Sequence, residues 1–297
     1  MQVILQQMNN KNKGIIIKAL SGFYYVEFDN KIYTCKAKGT FRKQNIKPLV
    51  GDNVIFDVDD LIIQEIIQRK NSLLRPPVAN IDKMFIISSH QTPSPNVLNI
   101  DRLIAVAENN GIEPILIFNK SDLGSFTEYE NIYKNAGFKC ITTSAFSKNA
   151  AEQILPHIKD SISVFTGNSG VGKSSLINSI FKDSSLIKTG EVSEKLGRGR
   201  HTTRHVELFK IDNGYIADTP GFSAIEIEKM LNCEKEDLHL FFREFKDYTD
   251  NCKFTSCSHC SEKGCAVIDA VNNNQITKSR HNSYVTLYNE LKQIKHW

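Results

Sequence analysis

The run Gly167-Asn168-Ser169-Gly170-Val171-Gly172-Lys173-Ser174 fits the pattern G-x-x-x-x-G-K-[ST] and constrains the fold more than any other stretch of the chain. It follows the apolar segment Ser161 to Thr166 and opens a helical pattern from about Lys173, so it reads as strand, phosphate loop and helix. The glycines let the backbone curl until successive N–H groups face phosphate oxygens. The start of the helix adds partial positive charge. In this reading Lys173 reaches the β- and γ-phosphates, the Ser174 hydroxyl ligates Mg²⁺, and Ser175 follows on the same phosphate-facing turn. Such a loop belongs to an open α/β sheet with helices packed on it.

The flanking sequence agrees. Lys83 to Ser89, Pro114 to Phe118, Lys139 to Thr143, Ser161 to Thr166 and Tyr215 to Ala217 read as strands, with helices at Asp101 to Asn110 and Phe126 to Ala136. This alternation implies a parallel sheet covered on both faces. Asn119-Lys120-Ser121-Asp122 follows the second of these strands, at the carboxyl end where such sheets bind ligands. The Asp122 carboxylate can accept both N1–H and the 2-amino group of guanine. Adenine has no such donor pair, and binding it would strand a desolvated carboxylate at a cost of about 1–3 kcal/mol. Asn119 would hold the base and the loop, with the stem of Lys120 along the ring. Thr143-Ser144-Ala145 also follows a strand, and the N–H groups of Ser144 and Ala145 are placed to meet the guanine carbonyl. Together the motifs select GTP and GDP over adenine nucleotides.

Two more segments complete a nucleotide switch. Asp218-Thr219-Pro220-Gly221 follows the strand ending at Ala217. Asp218 can hold Mg²⁺ through water, and the Gly221 N–H can meet the γ-phosphate. Gly197 to Arg204 is glycine-rich and basic, as suits a switch ordered by nucleotide. It supplies Thr203, with Thr202 as second choice, to complete the Mg²⁺ shell. Phe222 stands where many GTPases carry a glutamine that orients the attacking water, and phenylalanine has no group for that task. His201 is the nearest candidate to orient or deprotonate water; packing or RNA contact is the competing reading. The order along the chain is guanine reader, phosphate loop, switch threonine, D-T-P-G, whereas the phosphate loop usually comes first. The domain is therefore circularly permuted, a rearrangement that neighbouring termini tolerate.

The N-terminal residues, to about Arg75, read as short strands at Gly14 to Ile17, Phe23 to Phe28, Lys31 to Ala37 and Asn53 to Asp57. Several short strands in about 70 residues fit a small barrel, the OB-fold foremost. Phe23, Tyr24, Tyr25, Tyr33 and Phe41 are interleaved with Lys36, Lys38, Arg42 and Lys43, which fits either a base-stacking RNA face or a core with a solvated basic rim. Arg75-Pro76-Pro77 reads as a linker. A formal net charge of +4 permits a phosphate-rich partner without requiring one. No stretch approaches the roughly 18 apolar residues of a membrane span and no secretory signal is visible, so a cytoplasmic protein is expected.

Four of the seven cysteines lie between Cys252 and Cys265. Cys252, Cys257, His259 and Cys265 form a sulfur-rich four-ligand set suited to structural Zn²⁺, with Cys260 as an alternative ligand. The last region offers Lys278, Arg280, His281, Lys292, Lys295 and His296 either for phosphate contacts or as a solvated helix face.

With these motifs in this order the chain resembles the family of ribosome small-subunit-dependent GTPases A. The resemblance runs through Lys36-Ala37-Lys38-Gly39, Arg42-Lys43, Gly51-Asp52, Leu74-Arg75-Pro76-Pro77-Val78-Ala79-Asn80-Ile81-Asp82, the nucleotide motifs and the cysteine cluster. It implies a multidomain α/β protein: an OB-fold RNA-binding domain over 1–72, a circularly permuted P-loop GTPase domain over 73–227 and a zinc-binding helical domain over 228–297. It implies a GTPase acting late in maturation of the 30S subunit, contacting its 16S rRNA, stimulated by the subunit and released on hydrolysis. A monomer is expected. The hydrophobic residue in place of glutamine and a histidine in the first switch also resemble the family. Lys263, where proline is common, departs from it.

Overall fold

The computed structural model describes residues 11–74, 76–90, 94–147, 149–183, 206–218, 231 and 233–293. The chain divides into two compact units, one of residues 1–83, 155–165 and 184–220, the other of residues 84–154, 166–183 and 221–297.

In the first unit, β1 (Lys11–Leu20), β2 (Phe23–Phe28), β3 (Lys31–Ala37), β4 (Asn53–Asp57) and β5 (Ile62–Ile66) form a barrel. The strand order is β1-β2-β3-β5-β4, and β4 pairs back onto β1 to close it. This is the five-stranded architecture expected of an OB-fold. The β3–β5 pair is parallel while β1–β2, β2–β3, β1–β4 and β4–β5 are antiparallel. Alternation sends Ile16, Val26, Cys35, Val54, Phe56 and Ile63 inward, and Phe41 caps them from the short helix α1 (Gly39–Lys43). Both readings of the aromatic run hold in part. Phe41 is core, and Tyr24 and Tyr33 pack against it, whereas Phe23 stays 40% exposed with the Lys36 ammonium 5.3 Å from its ring centroid.

The expected linker at Arg75-Pro76-Pro77 is instead part of a hairpin: β6 (Ser72–Leu74) pairs antiparallel with β7 (Pro77–Ala79). Pro77 stands at the first position of its strand, where its missing N–H is tolerated. Asn71 and Asn80 close the base: Ile81 N–H donates to Asn71 Oδ1, and Asn80 Nδ2 donates to the Gly51 carbonyl. The first unit also holds β11 (Ile162–Thr166), up to Phe165, with β12 (Glu207–Ile211) and β13 (Gly214–Asp218). β11 runs parallel to β13, but β12 and β13 form an antiparallel hairpin, so the expected purely parallel arrangement is mixed here. The two-residue turn at Asp212 and Asn213 makes the reversal possible, with Asp212 at a φ of 49°.

The second unit carries β8 (Lys83–Ser89) from Met84 onward, β9 (Glu113–Asn119) and β10 (Lys139–Thr142), in the order β10-β9-β8, with β9 and β10 parallel. Its helices are α2 (Val97–Asn109), α3 (Thr127–Asn135), α5 (Lys173–Asp183), α6 (Lys246–Thr249), α7 (Ala266–Asn272) and α8 (Lys278–Gln293); α4 (Ala150–Ile158) lies across the division between the units. Helix α2 begins four residues before its expected start because the Asn96 side chain accepts the Asn99 N–H and caps it. Residues Ile100 to Ala107 of α2 are all buried, Asp101 and Arg102 among them.

Arg280 of α8 explains one of those charges. It is 1% exposed and donates to Asp101 Oδ1 at 2.7 Å and to Glu244 Oε1 at 2.7 Å, with its guanidinium 4.5 Å from the Phe242 ring centroid. Neither expectation for this residue, phosphate contact or solvated face, survives. Lys295 and His296 lie outside the described residues.

Candidate functional site

The loops after β9, β10 and β11 converge within the second unit, and one side chain ties them together. Asn119, fully buried, donates from Nδ2 to the Val171 carbonyl at 2.8 Å and accepts the Ala145 N–H at Oδ1, 3.0 Å away. The amide thus joins the guanine reader, the Thr143-Ser144-Ala145 turn and the phosphate loop. Two further bonds reinforce it: Ser121 N–H to the Thr143 carbonyl at 3.1 Å, and Lys120 Nζ to the Gly170 carbonyl at 2.8 Å. Lys120 sits in the left-handed region at a φ of 64°. Phe118, just before Asn119, is buried and stacks on Phe126 with centroids 5.1 Å apart, which fixes the end of β9.

The glycines of the phosphate loop are required by contact as well as by conformation. Gly167, at a φ of +144°, would bring a Cβ within 2.2 Å of the Ile87 carbonyl oxygen. Gly172, at +92°, would bring one within 2.4 Å of Asn119 Nδ2. Any larger residue at either position breaks the loop, and at Gly172 it also displaces the Asn119 bridge. Lys173 opens α5 and donates to the Gly167 and Asn168 carbonyls at 2.5 and 3.0 Å. Burial lowers its ammonium pKa below the ordinary lysine value, which an arriving phosphate would reverse. Ser174, Ser175 and Asp122 are exposed, open to a ligand; Ser169 is exposed as well, while Asn168 is half-buried and Val171 buried under the loop. Asp218 ends β13, and nothing is described of its side chain. His201, Thr202, Thr203 and Gly221 lie outside the described residues.

The second candidate site is the cysteine cluster, also in the second unit. One ligand atom from each of Cys252, Cys257, His259 and Cys265 lies within 4.8 Å of the others. His259 Nδ1 is 3.5 Å from Cys252 Sγ and 3.5 Å from Cys265 Sγ, and those two sulfurs are 3.9 Å apart. A tetrahedral ion with sulfur at about 2.3 Å and nitrogen at about 2.0 Å sets these separations near 3.8 Å and about 3.5 Å. The donors therefore already stand where one ion would hold them. Cys260 turns away, its thiol donating to the Ser258 carbonyl. Burial pushes the Cys265 thiol up to about 12, so a thiolate there needs a cation. Burial and the neighbouring His239 lower the His259 pKa, favouring the neutral ring that ligates.

The cluster's frame comes from residues that the spacing of cysteines did not single out. Glu262 accepts the N–H groups of Ser258, Cys260 and Ser261 and the Ser258 hydroxyl. Burial alone would raise its pKa, but these donors bring it down to about 2. His281 Nε2 lies 2.7 Å from the His259 carbonyl oxygen, and Tyr284 donates to the Ser258 carbonyl at 2.9 Å. A carboxylate three residues after the ligating histidine was the available signal. His281 and Tyr284 come from a remote helix and left none.

A glycine-shaped phosphate loop bound to a guanine reader that precedes it in sequence defines a P-loop nucleotide-binding protein of permuted order. Comparisons with known proteins narrow this. Residues 66–228 match the family described as RsgA GTPase, and residues 13–61 match the RsgA N-terminal domain. The small ribosomal subunit biogenesis GTPase RsgA of Caldanaerobacter subterraneus subsp. tengcongensis is 46% identical over 288 residues, 95% of this chain and 96% of that protein. Its namesake in Halalkalibacterium halodurans is 42% identical, over 94% of this chain and 97% of that one. Among solved structures, YjeQ from Thermotoga maritima superposes with a TM-score of 0.82 at 34% identity, covering 96% of this chain and all of that one. YloQ, described as a circularly permuted GTPase, gives 0.80 at 34% identity, covering 97% and 98%. The chain belongs to the RsgA GTPase family, and the permuted order read from its motifs is that of its structural relative.

Proposed function

We propose that this protein hydrolyses GTP in the biogenesis of the small ribosomal subunit, acting late in 30S maturation. It would contact 16S rRNA, be stimulated by the subunit and leave it on hydrolysis. The observation that carries the reading is the Asn119 bridge, which sets a guanine-selective carboxylate and a phosphate loop into one constellation. The names of its relatives supply the subunit.

Within the pocket, Asp122 accepts the two guanine donors, and the Ser144 and Ala145 N–H groups meet the base carbonyl. The N–H groups of 167 to 172 cradle the phosphates. Lys173 exchanges its carbonyl partners for phosphate oxygens and neutralises charge as water attacks the γ-phosphate. Ser174, Thr203 and Asp218 would hold Mg²⁺, which when bound adds positive charge at the β- and γ-phosphates. Gly221 senses the γ-phosphate, and His201 orients the water in the absence of a glutamine beside Phe222. Cys252, Cys257, His259 and Cys265 hold structural Zn²⁺. Functionally the modules are 1–72 for RNA, 73–227 for the nucleotide and 228–297 for zinc, in a monomeric cytoplasmic protein. No helix among the described residues is long and apolar enough to cross a membrane.

The test is turnover of GTP and ATP by the purified protein with and without 30S subunits. GTP hydrolysis should rise with subunits while ATP is ignored. Equal turnover of both nucleotides, or a GTP rate indifferent to subunits, would overturn the reading. A His201→Ala protein with intact nucleotide binding but normal stimulation would remove His201 from it.

A further inference from the structure

Phe146 directly follows the Thr143-Ser144-Ala145 turn and is 88% exposed, an apolar ring left in water beside the nucleotide motifs. It is not on a loose segment. Its own N–H donates to Ser144 Oγ at 3.3 Å, the preceding N–H is held by Asn119 Oδ1, and Thr143 accepts from Ser121. The backbone that carries Phe146 is therefore pinned on both sides to the residues around Asp122. Lys120 shows what the same place lacks. Its stem spans from the guanine reader to the Gly170 carbonyl, a wall for one face of a planar base. Nothing polar could cover the other face without losing hydrogen bonds to water, whereas an aromatic ring gains by covering it.

We propose that the Phe146 ring stacks on the purine of the bound guanine nucleotide, on the face opposite Lys120. This rests on the nucleotide reading above and adds a positioning residue to it. Stacking is tolerant of base identity, because every base has a π-face. Asp122 then selects guanine while Phe146 holds whichever purine is present.

Two variants test this with GDP as the probe. Phe146→Ala should weaken GDP roughly five- to a hundred-fold by calorimetry, the range for removing one base–aromatic stack. It should weaken inosine diphosphate by the same factor, whereas a disturbed reader would change the ratio between the two. Phe146→Trp, made in a Trp297→Phe background that removes the only native tryptophan, should keep near-normal affinity. Its emission should change on adding GDP but not pyrophosphate, which fills the phosphate loop alone. If GDP binds Phe146→Ala as tightly as the parent and leaves the Phe146→Trp emission unmoved, the stacking assignment is wrong. If the parent itself binds no GDP, the nucleotide reading falls instead.

Discussion

The nucleotide loops and the cysteine cluster are built in the same unit from short loops, yet their construction is opposite. In the first, the reactive groups lie outside: Asp122, Ser174 and Ser175 are exposed, and Lys173 rests on the carbonyls of its own loop. Only the support, Asn119 and Phe118, is buried. In the second, the ligands themselves are drawn in, with His259 at 4% and Cys265 at 1% exposure, and Glu262, His281 and Tyr284 bracket the loop. A site that must admit and release a nucleotide keeps its donors reachable and spends burial on geometry. A site that keeps its ion has no reason to open, and a thiol buried without a cation stays protonated. Open and closed construction thus mark exchange and permanence.

The contrast can be broken at either end. The largest effect is expected from Cys265→Ser or from chelation. Metal content should fall to zero and the C-terminal helices should lose their cooperative unfolding transition, since ion binding supplies on the order of 10 kcal/mol to such modules. A protein stripped of metal that keeps its circular dichroism and melting temperature would show the cluster to be dispensable. Next is Arg280→Met, which leaves Asp101 and Glu244 buried without their partner. Removing one member of a buried ion pair costs about 3–5 kcal/mol, read as a drop in melting temperature on the order of 10 °C. Loss of metal should not accompany it.

On the nucleotide side the effects should be smaller and confined to binding. Asn119→Ala leaves the Val171 carbonyl and the Ala145 N–H unpaired, at about 1–3 kcal/mol for each buried group. GDP affinity should fall at least about ten-fold by calorimetry, with metal content unchanged. If affinity holds, the bridge does not organise the pocket. Asp122→Asn should cost guanosine nucleotides roughly five- to a hundred-fold while leaving adenosine nucleotides as weak as before. Equal losses for both would mean that the residue shapes the loop rather than reads the base.

Much of the architecture was legible in local signals. Alternating residues marked β2, β3 and β4, and apolar runs ended by motif residues marked β8, β9 and β11, because strand periodicity and loop chemistry are written in neighbouring positions. Elements whose meaning depends on a distant partner were not. Arg75-Pro76-Pro77 carries every mark of a linker, but pairing of Leu73 with Val78 makes it a hairpin. The antiparallel turn of β12 onto β13 and the early start of α2 at its Asn96 cap were likewise unread. Cys260 was as plausible a ligand as its neighbours until the backbone turned its thiol toward Ser258.

By itself the sequence determined which chemistries this protein carries, namely phosphate cradle, guanine reader and four metal donors, together with the reversed order in which they appear. Each depends on residue types at short fixed spacings. The tertiary structure alone decided that one buried amide joins three of those loops, and that Arg280 is a core ion rather than a surface charge. It also left Phe146 bare beside the reader. Such facts follow from burial and from contacts between residues tens to nearly two hundred positions apart, and a one-dimensional pattern holds no record of which distant polar group will be there to satisfy another.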